Sequence, residues 1–122
     1  MASTNEHLKI FITSPLEDEH VERIRSIGGN VVTVIHEPDL LPAIRYVADH
    51  KGIEEFVRKD NQEKRWRAHL ASAHILWDFP AGVRDSAGEN LVPNLRWVQT
   101  TSSGVGQLVK NLGLQDSDIL VT

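Results

Sequence analysis

The stretch of this chain that most suggests chemistry is the run of small residues from Thr100 to Gly106, which reads TTSSGVG. It lies between an apolar, strand-like run and a segment with helical spacing, so its backbone N–H groups could approach an anion closely. Equally, it could be a flexible connection whose Ser or Thr caps the next helix. It is not a Walker loop, because no Gly-Lys-Ser/Thr follows, nor a dinucleotide fingerprint, because the third glycine is missing.

Histidines are the next candidates for chemistry, and the chain has 6 of them. Four fall at the amino terminus or on polar helical faces, where we expect them to be solvated: His7, His20, His50 and His69. His36 and His74 flank predicted strands and are more interesting. No histidine pair has metal-ligand spacing with a partner carboxylate, so no metal site is predicted.

Aromatic residues suggest packing more than ligand binding. Trp66 lies on a helical stripe, and Trp77 and Trp97 lie in predicted strands, so all three are interpreted as core residues. Phe79 differs, because it leaves the third strand at its carboxyl end. There it could form a wall against the side chain of a bound substrate.

Composition narrows the class of protein. The 122 residues carry a net charge of -4 and 40% hydrophobic residues, which is typical of one globular domain. The acidic balance gives no reason to bind nucleic acid, and no apolar run approaches the roughly 20 residues that span a membrane. With no cysteines, thiolate chemistry and disulfides are excluded. We therefore expect a cytoplasmic protein.

Apolar runs alternate with helical patterns along the chain, which is typical of repeated βα units. Strands are predicted at 8–13, 31–35, 74–78, 95–100 and 119–121, and helices at 17–27, at 39–52 after a cap by Asp39, and at about 61–73. In the first helix Val21, Ile24 and Ile27 form one apolar stripe, and in the second Leu40, Ile44 and Val47 do so. The predicted fold is α/β: a flavodoxin-like open parallel sheet with helices on both faces, in a single domain.

The final predicted strand reaches almost to Thr122. A parallel strand is normally buried by helices on both faces, so we expect that the chain has been cut at a domain boundary.

Residues 93–105 read PNLRWVQTTSSGV. This segment, with the tail DSDILVT at 116–122, resembles the D-isomer-specific 2-hydroxyacid dehydrogenases, in both the order and the separation of the two segments. They cover about a quarter of the chain. Residues 1–92 agree with that family only in their βα pattern. The resemblance implies that residues 1–122 are the substrate-binding domain of a two-domain enzyme whose NAD-binding domain is absent from the chain.

In that family, hydride passes between NAD or NADP and a small 2-hydroxy or 2-oxo acid. The resemblance implies that the backbone N–H groups of Ser103 and Gly104 hold the substrate carboxylate, while Ser102 and Val105 shape the loop. Many members have Asp where this chain has Gly106. The catalytic histidine, its paired acid, the substrate-binding arginine and the G-x-G-x-x-G loop all lie beyond Thr122, so no catalytic or cofactor-binding residue is expected here. The fragment alone should be inactive and bind no cofactor, and the parent enzyme should be a homodimer.

Two other classes stay open. The chain could be a receiver-like phosphoacceptor domain, with Asp78 at the end of the third strand. Against this, Ser14-Pro15-Leu16 follows the first strand where paired acids should bind magnesium, and no lysine ends the fifth strand. It could also be an orphan binding domain, for which the sequence offers no positive evidence.

Overall fold

A computed structural model describes residues 7–49, 51–80, 82–101, 106–111 and 117–122. Its centre is one parallel sheet of five strands in the order β2-β1-β3-β4-β5. The strands are β1 (Leu8–Ile12), β2 (Val32–Ile35), β3 (Ile75–Trp77), β4 (Trp97–Gln99) and β5 (Leu120–Val121). Each lies inside its predicted range. The α/β class and the open parallel sheet are therefore confirmed.

Helices α1 (Asp18–Gly28) and α2 (Asp60–Ser72) belong to connections that run in opposite directions across the sheet. Because such connections are right-handed, the two helices lie on opposite faces. Phe11 of β1 contacts the ring of Trp66 in α2, with centroids 5.1 Å apart. On the other face, a Cβ atom at Gly28 would lie 2.7 Å from Cβ of Val32, so only glycine lets α1 end this close to β2. A third helix, α3 (Gly106–Asn111), precedes β5.

The core follows from the register of the strands. Phe11 pairs with Leu76, and Leu76 with Val98, and paired residues of parallel strands point to the same face. All three side chains are fully buried. Trp66 is also buried, as predicted, whereas Trp77 and Trp97 are only half-buried.

Ile27 does not belong to the buried stripe of α1. Val21 is buried and Ile24 packs against the core, but 77% of Ile27 is exposed. Six residues rotate a helix by about 600°, which leaves Ile27 roughly a third of a turn away from Val21. The predicted three-residue stripe is therefore wrong at its last member.

The predicted helix at 39–52 is also wrong. The structure has a short 3-10 turn, Pro38–Leu40, and no α-helix in the described residues that follow before α2. Leu41 is extended, with φ -115° and ψ 148°, because a residue that precedes a proline is disfavoured in the α region. Ile44 and Val47 are exposed. The apolar spacing in this segment thus does not mark a buried helical face.

Asp49 organises this connection in place of helical hydrogen bonds. Its buried carboxylate accepts hydrogen bonds from the backbone and side chain of Arg45 and from the Lys51 N–H. The Arg45 guanidinium holds the pKa of Asp49 well below its usual range. Gly52 then takes φ +76° directly beside Pro42, a left-handed conformation that favours glycine.

No helix in the part of the chain described by the structure is long and apolar enough to cross a membrane.

Candidate functional site

The carboxyl ends of the strands form the edge at which open α/β sheets bind ligands, at the point where the strand order reverses. Here that point lies between β1 and β3. Thr13, just after β1, joins the two strands: its N–H donates to the Trp77 carbonyl at 3.1 Å, and its hydroxyl lies 2.8 Å from the same oxygen. Ser14 follows Thr13 and is buried, with 6% of its surface exposed. Its hydroxyl has no hydrogen-bond partner among the described residues.

Asp78 is the centre of this edge. It has φ +71°, a left-handed conformation that Asp tolerates better than most residues. Its N–H donates to the Gln99 carbonyl at 2.7 Å. Its carboxylate accepts from the Phe79 N–H at 2.9 Å and from the Thr101 hydroxyl at 2.7 Å. Asp78 therefore ties the loop after β3 to the loop after β4.

β4 is tied to β5 at the same edge. Both the N–H and the hydroxyl of Thr100 donate to the carbonyl of Thr122, at 2.7 and 2.9 Å. The Trp97 indole N–H donates to the Thr122 hydroxyl at 2.7 Å. Thr101 is thus held from two sides, by Asp78 and through Thr100. The start of the small-residue run has a defined position next to the strand-order reversal.

The predicted site residues Ser102, Ser103, Gly104 and Val105 lie outside the described residues, and their assignment stays a prediction. Phe79 is half-buried and packs against the core at the carboxyl end of β3. It lies next to Asp78 at the central edge, so its predicted role as a wall also stays open. Sequence reasoning missed the role of Thr101 as a partner of Asp78. A signal was present, because Asp78 is the last residue of one predicted strand and Thr101 is the first residue after another.

The exposure of the histidines differs in part from the prediction. His7 and His20 are exposed, and His50 lies outside the described residues. His69, predicted to be solvated, is partly buried against the Phe11 ring at 5.1 Å, with Nε2 3.0 Å from Oε1 of Glu37. The amphipathic pattern did not reveal this contact, because Glu37 comes from the connection after β2.

His74 and His36 are both built into the fold. Nδ1 of His74 accepts the Lys9 N–H at 3.0 Å, which is a structural bond between β1 and the start of β3. The side chain of His36 is 8% exposed and lies 3.8 Å from Oδ1 of Asp18. Burial lowers the pKa of His36, and the Asp18 carboxylate partly offsets this. Within the ranges the structure describes, no group of three His, Asp or Glu side chains could hold a metal ion.

A cavity of about 520 Å³ lies beside the carboxyl ends of β1 and β2. Its walls are mostly apolar, with Leu16, Leu41 and Ile44 among them, and its ionisable groups are Glu17, Asp18 and His36. A carboxylate ligand would be repelled there, because two carboxylates line the cavity without a Lys or Arg. This cavity and the Thr101 loop are therefore separate features of the same edge.

Comparisons of this chain with family models, with curated proteins and with solved structures found no match.

Proposed function

We propose that this chain is the substrate-binding domain of an NAD(P)-dependent D-2-hydroxyacid dehydrogenase. In this role the segment after β4 holds the carboxylate of a small 2-hydroxy or 2-oxo acid. The observation that carries the proposal is the bond between Asp78 and Thr101. It anchors Thr101, which precedes the predicted carboxylate-binding residues of the family-like segment, at the centre of the carboxyl edge, where ligands of open α/β sheets bind.

The chemistry of a carboxylate favours the small-residue run over the cavity beside β1 and β2. A carboxylate needs several converging N–H donors, and a loop of Ser and Gly supplies them without bulky side chains. The two acids of the 520 Å³ cavity would oppose the same ligand. We therefore assign the carboxylate to the N–H groups of Ser103 and Gly104, with Ser102 and Val105 shaping the loop and Phe79 facing the substrate side chain.

Asp78 acts as a positioning residue in this proposal. Its carboxylate accepts hydrogen bonds at both oxygens, one from Phe79 and one from Thr101. These bonds connect the wall residue to the residue that precedes the carboxylate loop. A change at Asp78 should therefore act on substrate binding through the geometry of the loop.

The hydride step requires a second domain. In the reductive direction, C2 of a 2-oxo acid receives a hydride from the nicotinamide of NADH or NADPH, and its oxygen takes a proton from an acid. The family resemblance places both the cofactor site and the acid beyond Thr122. Residues 1–122 contribute substrate binding, in an enzyme that we propose is dimeric.

Two substitutions at one position test the assignment in the enzyme that contains both domains. Ser103→Ala retains the backbone N–H and should change kcat/KM little. Ser103→Pro removes that donor and restricts the loop, so it should lower kcat/KM by a factor equivalent to about 2 kcal/mol. The affinity for NADH serves as a control for folding. Equal kcat/KM values for the two variants would place the carboxylate elsewhere.

A receiver-like domain is the alternative, because Asp78 follows β3. Incubation with a small phosphodonor distinguishes the two functions by mass spectrometry. The dehydrogenase proposal expects no phosphoryl group on Asp78, and a mass gain at Asp78 would refute it.

A further inference from the structure

The cavity beside the carboxyl ends of β1 and β2 is not used by the proposed substrate site. Its volume is about 520 Å³, within the range of roughly 300 to 1,000 Å³ that is typical of small-molecule sites. Three parts of the chain form its wall: residues 15–18 at the start of α1, His36 after β2, and Pro38 with residues 41–44 of the next connection. None of them belongs to the loop assigned to the carboxylate, so the cavity is a separate candidate site.

Hydrogen bonds fix this wall. The Ala48 N–H donates to Oε2 of Glu17 at 3.1 Å, which joins the connection to the start of α1. The Ile53 N–H donates to the Ala43 carbonyl at 3.0 Å, which closes the connection on itself. The connection is thus held against α1 with the cavity between them.

The deep part of the cavity is apolar. Leu41 is 6% exposed and Pro15 is buried, so both lie far from the surface. Ile44 lies in the same wall and is 50% exposed. A ligand with an apolar body would remove this surface from water, which is favourable.

The mouth of the cavity carries negative charge. The Asp18 side chain is 92% exposed, and its Oδ1 lies 3.8 Å from Nδ1 of His36. Burial lowers the pKa of His36, so its imidazole adds no positive charge at neutral pH. Arg25 acts on His36 electrostatically but is itself paired with Glu22.

No other cation offsets this charge within the part of the chain that the structure describes, since no Lys or Arg lines the cavity. The amino end of α1 contributes a partial positive charge of about half a unit. Glu17 and Asp18 contribute two full negative charges at the same place. The mouth therefore attracts a cation.

A small amine matches both parts of the cavity. We propose that the cavity binds a small primary ammonium ion with an apolar body, which packs against Leu41 and Ile44 while the ammonium group lies beside Asp18. A Lys side chain of another protein would enter with its ammonium group foremost and bring the charge to the apolar end, where burial of a charge is costly. The arrangement therefore favours a free amine over a protein partner.

An NMR titration of the ¹⁵N-labelled 122-residue chain with hexylammonium, hexanol and hexanoate tests this proposal, at neutral pH and matched ionic strength. We expect saturable shifts of the Leu16, Leu41 and Ile44 amide signals with hexylammonium. Hexanoate, which Asp18 repels, should bind at least about fivefold more weakly. Butylammonium should bind at least about threefold more weakly than hexylammonium, because it removes less apolar surface from water.

Two variants separate the charge from the apolar wall. Asp18→Asn should weaken the binding of hexylammonium about threefold and leave that of hexanol unchanged. Glu19→Gln is its control, because Glu19 is exposed on the same turn of α1 but outside the cavity wall. Ile44→Ser should weaken the binding of hexylammonium and hexanol alike, about threefold. Val47→Ser is the matched control, since Val47 belongs to the same connection, is 86% exposed and does not line the cavity.

All four substitutions are at exposed positions, so the variants should fold, and circular dichroism checks this. Three results would overturn the proposal: no saturable shifts of the cavity amides with hexylammonium, equal binding of hexanoate, or an effect of Asp18→Asn or Ile44→Ser no larger than that of its control. Tighter binding of N-acetyl-lysinamide than of hexylammonium would assign the cavity to a protein side chain and refute the free amine.

Discussion

The Thr101 hydroxyl donates a 2.7 Å hydrogen bond to Oδ2 of Asp78, which joins the loops that follow β3 and β4. Thr101→Val keeps the shape of the side chain and removes this donor. We expect the free energy of unfolding to fall by about 1 kcal/mol, measured by urea denaturation. Thr33→Val makes the same change at an exposed position of β2, where the hydroxyl contacts only the exposed side chain of His7 among the described residues, and should cost less. Equal losses of unfolding free energy in the two variants would show that the hydrogen bond to Asp78 adds no stability beyond that of an exposed hydroxyl.

Gly52 and Gly88 form a matched pair for a test of the connection after β2. Both glycines have positive φ, +76° at Gly52 and +82° at Gly88. A Cβ atom at Gly52 would lie 2.7 Å from the Pro42 side chain, whereas a Cβ atom at Gly88 would have no neighbour within 4 Å. Gly88→Ala should therefore cost about 1 kcal/mol from backbone strain alone. Gly52→Ala should cost roughly 1 to 2 kcal/mol more because of the clash. A smaller loss at Gly52, measured by thermal unfolding, would contradict the described path of this segment.

His36 should make the stability of the chain depend on pH. Burial holds its pKa below the ordinary value of about 6.5, so the unfolded chain binds a proton more readily than the folded one. The contribution of neutral His36 to the stability of the folded chain is therefore complete above about pH 6.5. It is lost as the pH falls through the pKa of His36 in the folded state. The Asp18 and Glu22 carboxylates oppose this shift, and Arg25 reinforces it.

His36→Gln should flatten the decline in unfolding free energy between about pH 7 and pH 5. His20→Gln, on the exposed surface of α1, is the control. A decline as steep in His36→Gln as in the unmodified chain would mean that other groups carry the pH dependence.

A binding measurement with NADH tests whether residues 1–122 contain the cofactor site. We expect no tight binding of NADH by residues 1–122, because the proposed function assigns the nucleotide loop to a separate NAD-binding domain. Calorimetric titration checks this expectation. Micromolar affinity would place the nucleotide site in this domain and refute the assignment.

The strands were predictable because each is a run of apolar or β-branched residues bounded by Pro, Gly or polar residues. The order of the sheet also agrees with the βα pattern. The helix expected at 39–52 failed for a local reason: Pro42 disfavours a helical Leu41, and the Asp49 carboxylate bonds the backbone of Arg45 and Lys51. Apolar spacing contains no information on such side-chain bonds.

The site was only partly predictable. The sequence indicates that Asp78 ends one predicted strand and that Thr101 follows another. Their contact also depends on β3 and β4 being neighbours and on the positive φ of Asp78.

In the proposed function, the N–H groups of Ser103 and Gly104 bind a 2-oxo acid through its carboxylate. The most direct measurement is an NMR titration of the ¹⁵N-labelled chain with pyruvate, and with pyruvamide as the uncharged control. We expect saturable shifts of the Ser103 and Gly104 amide signals with pyruvate, no comparable shifts with pyruvamide, and loss of the effect in Ser103→Pro. Pyruvate shifts confined to other residues, or equal shifts with pyruvamide, would contradict it.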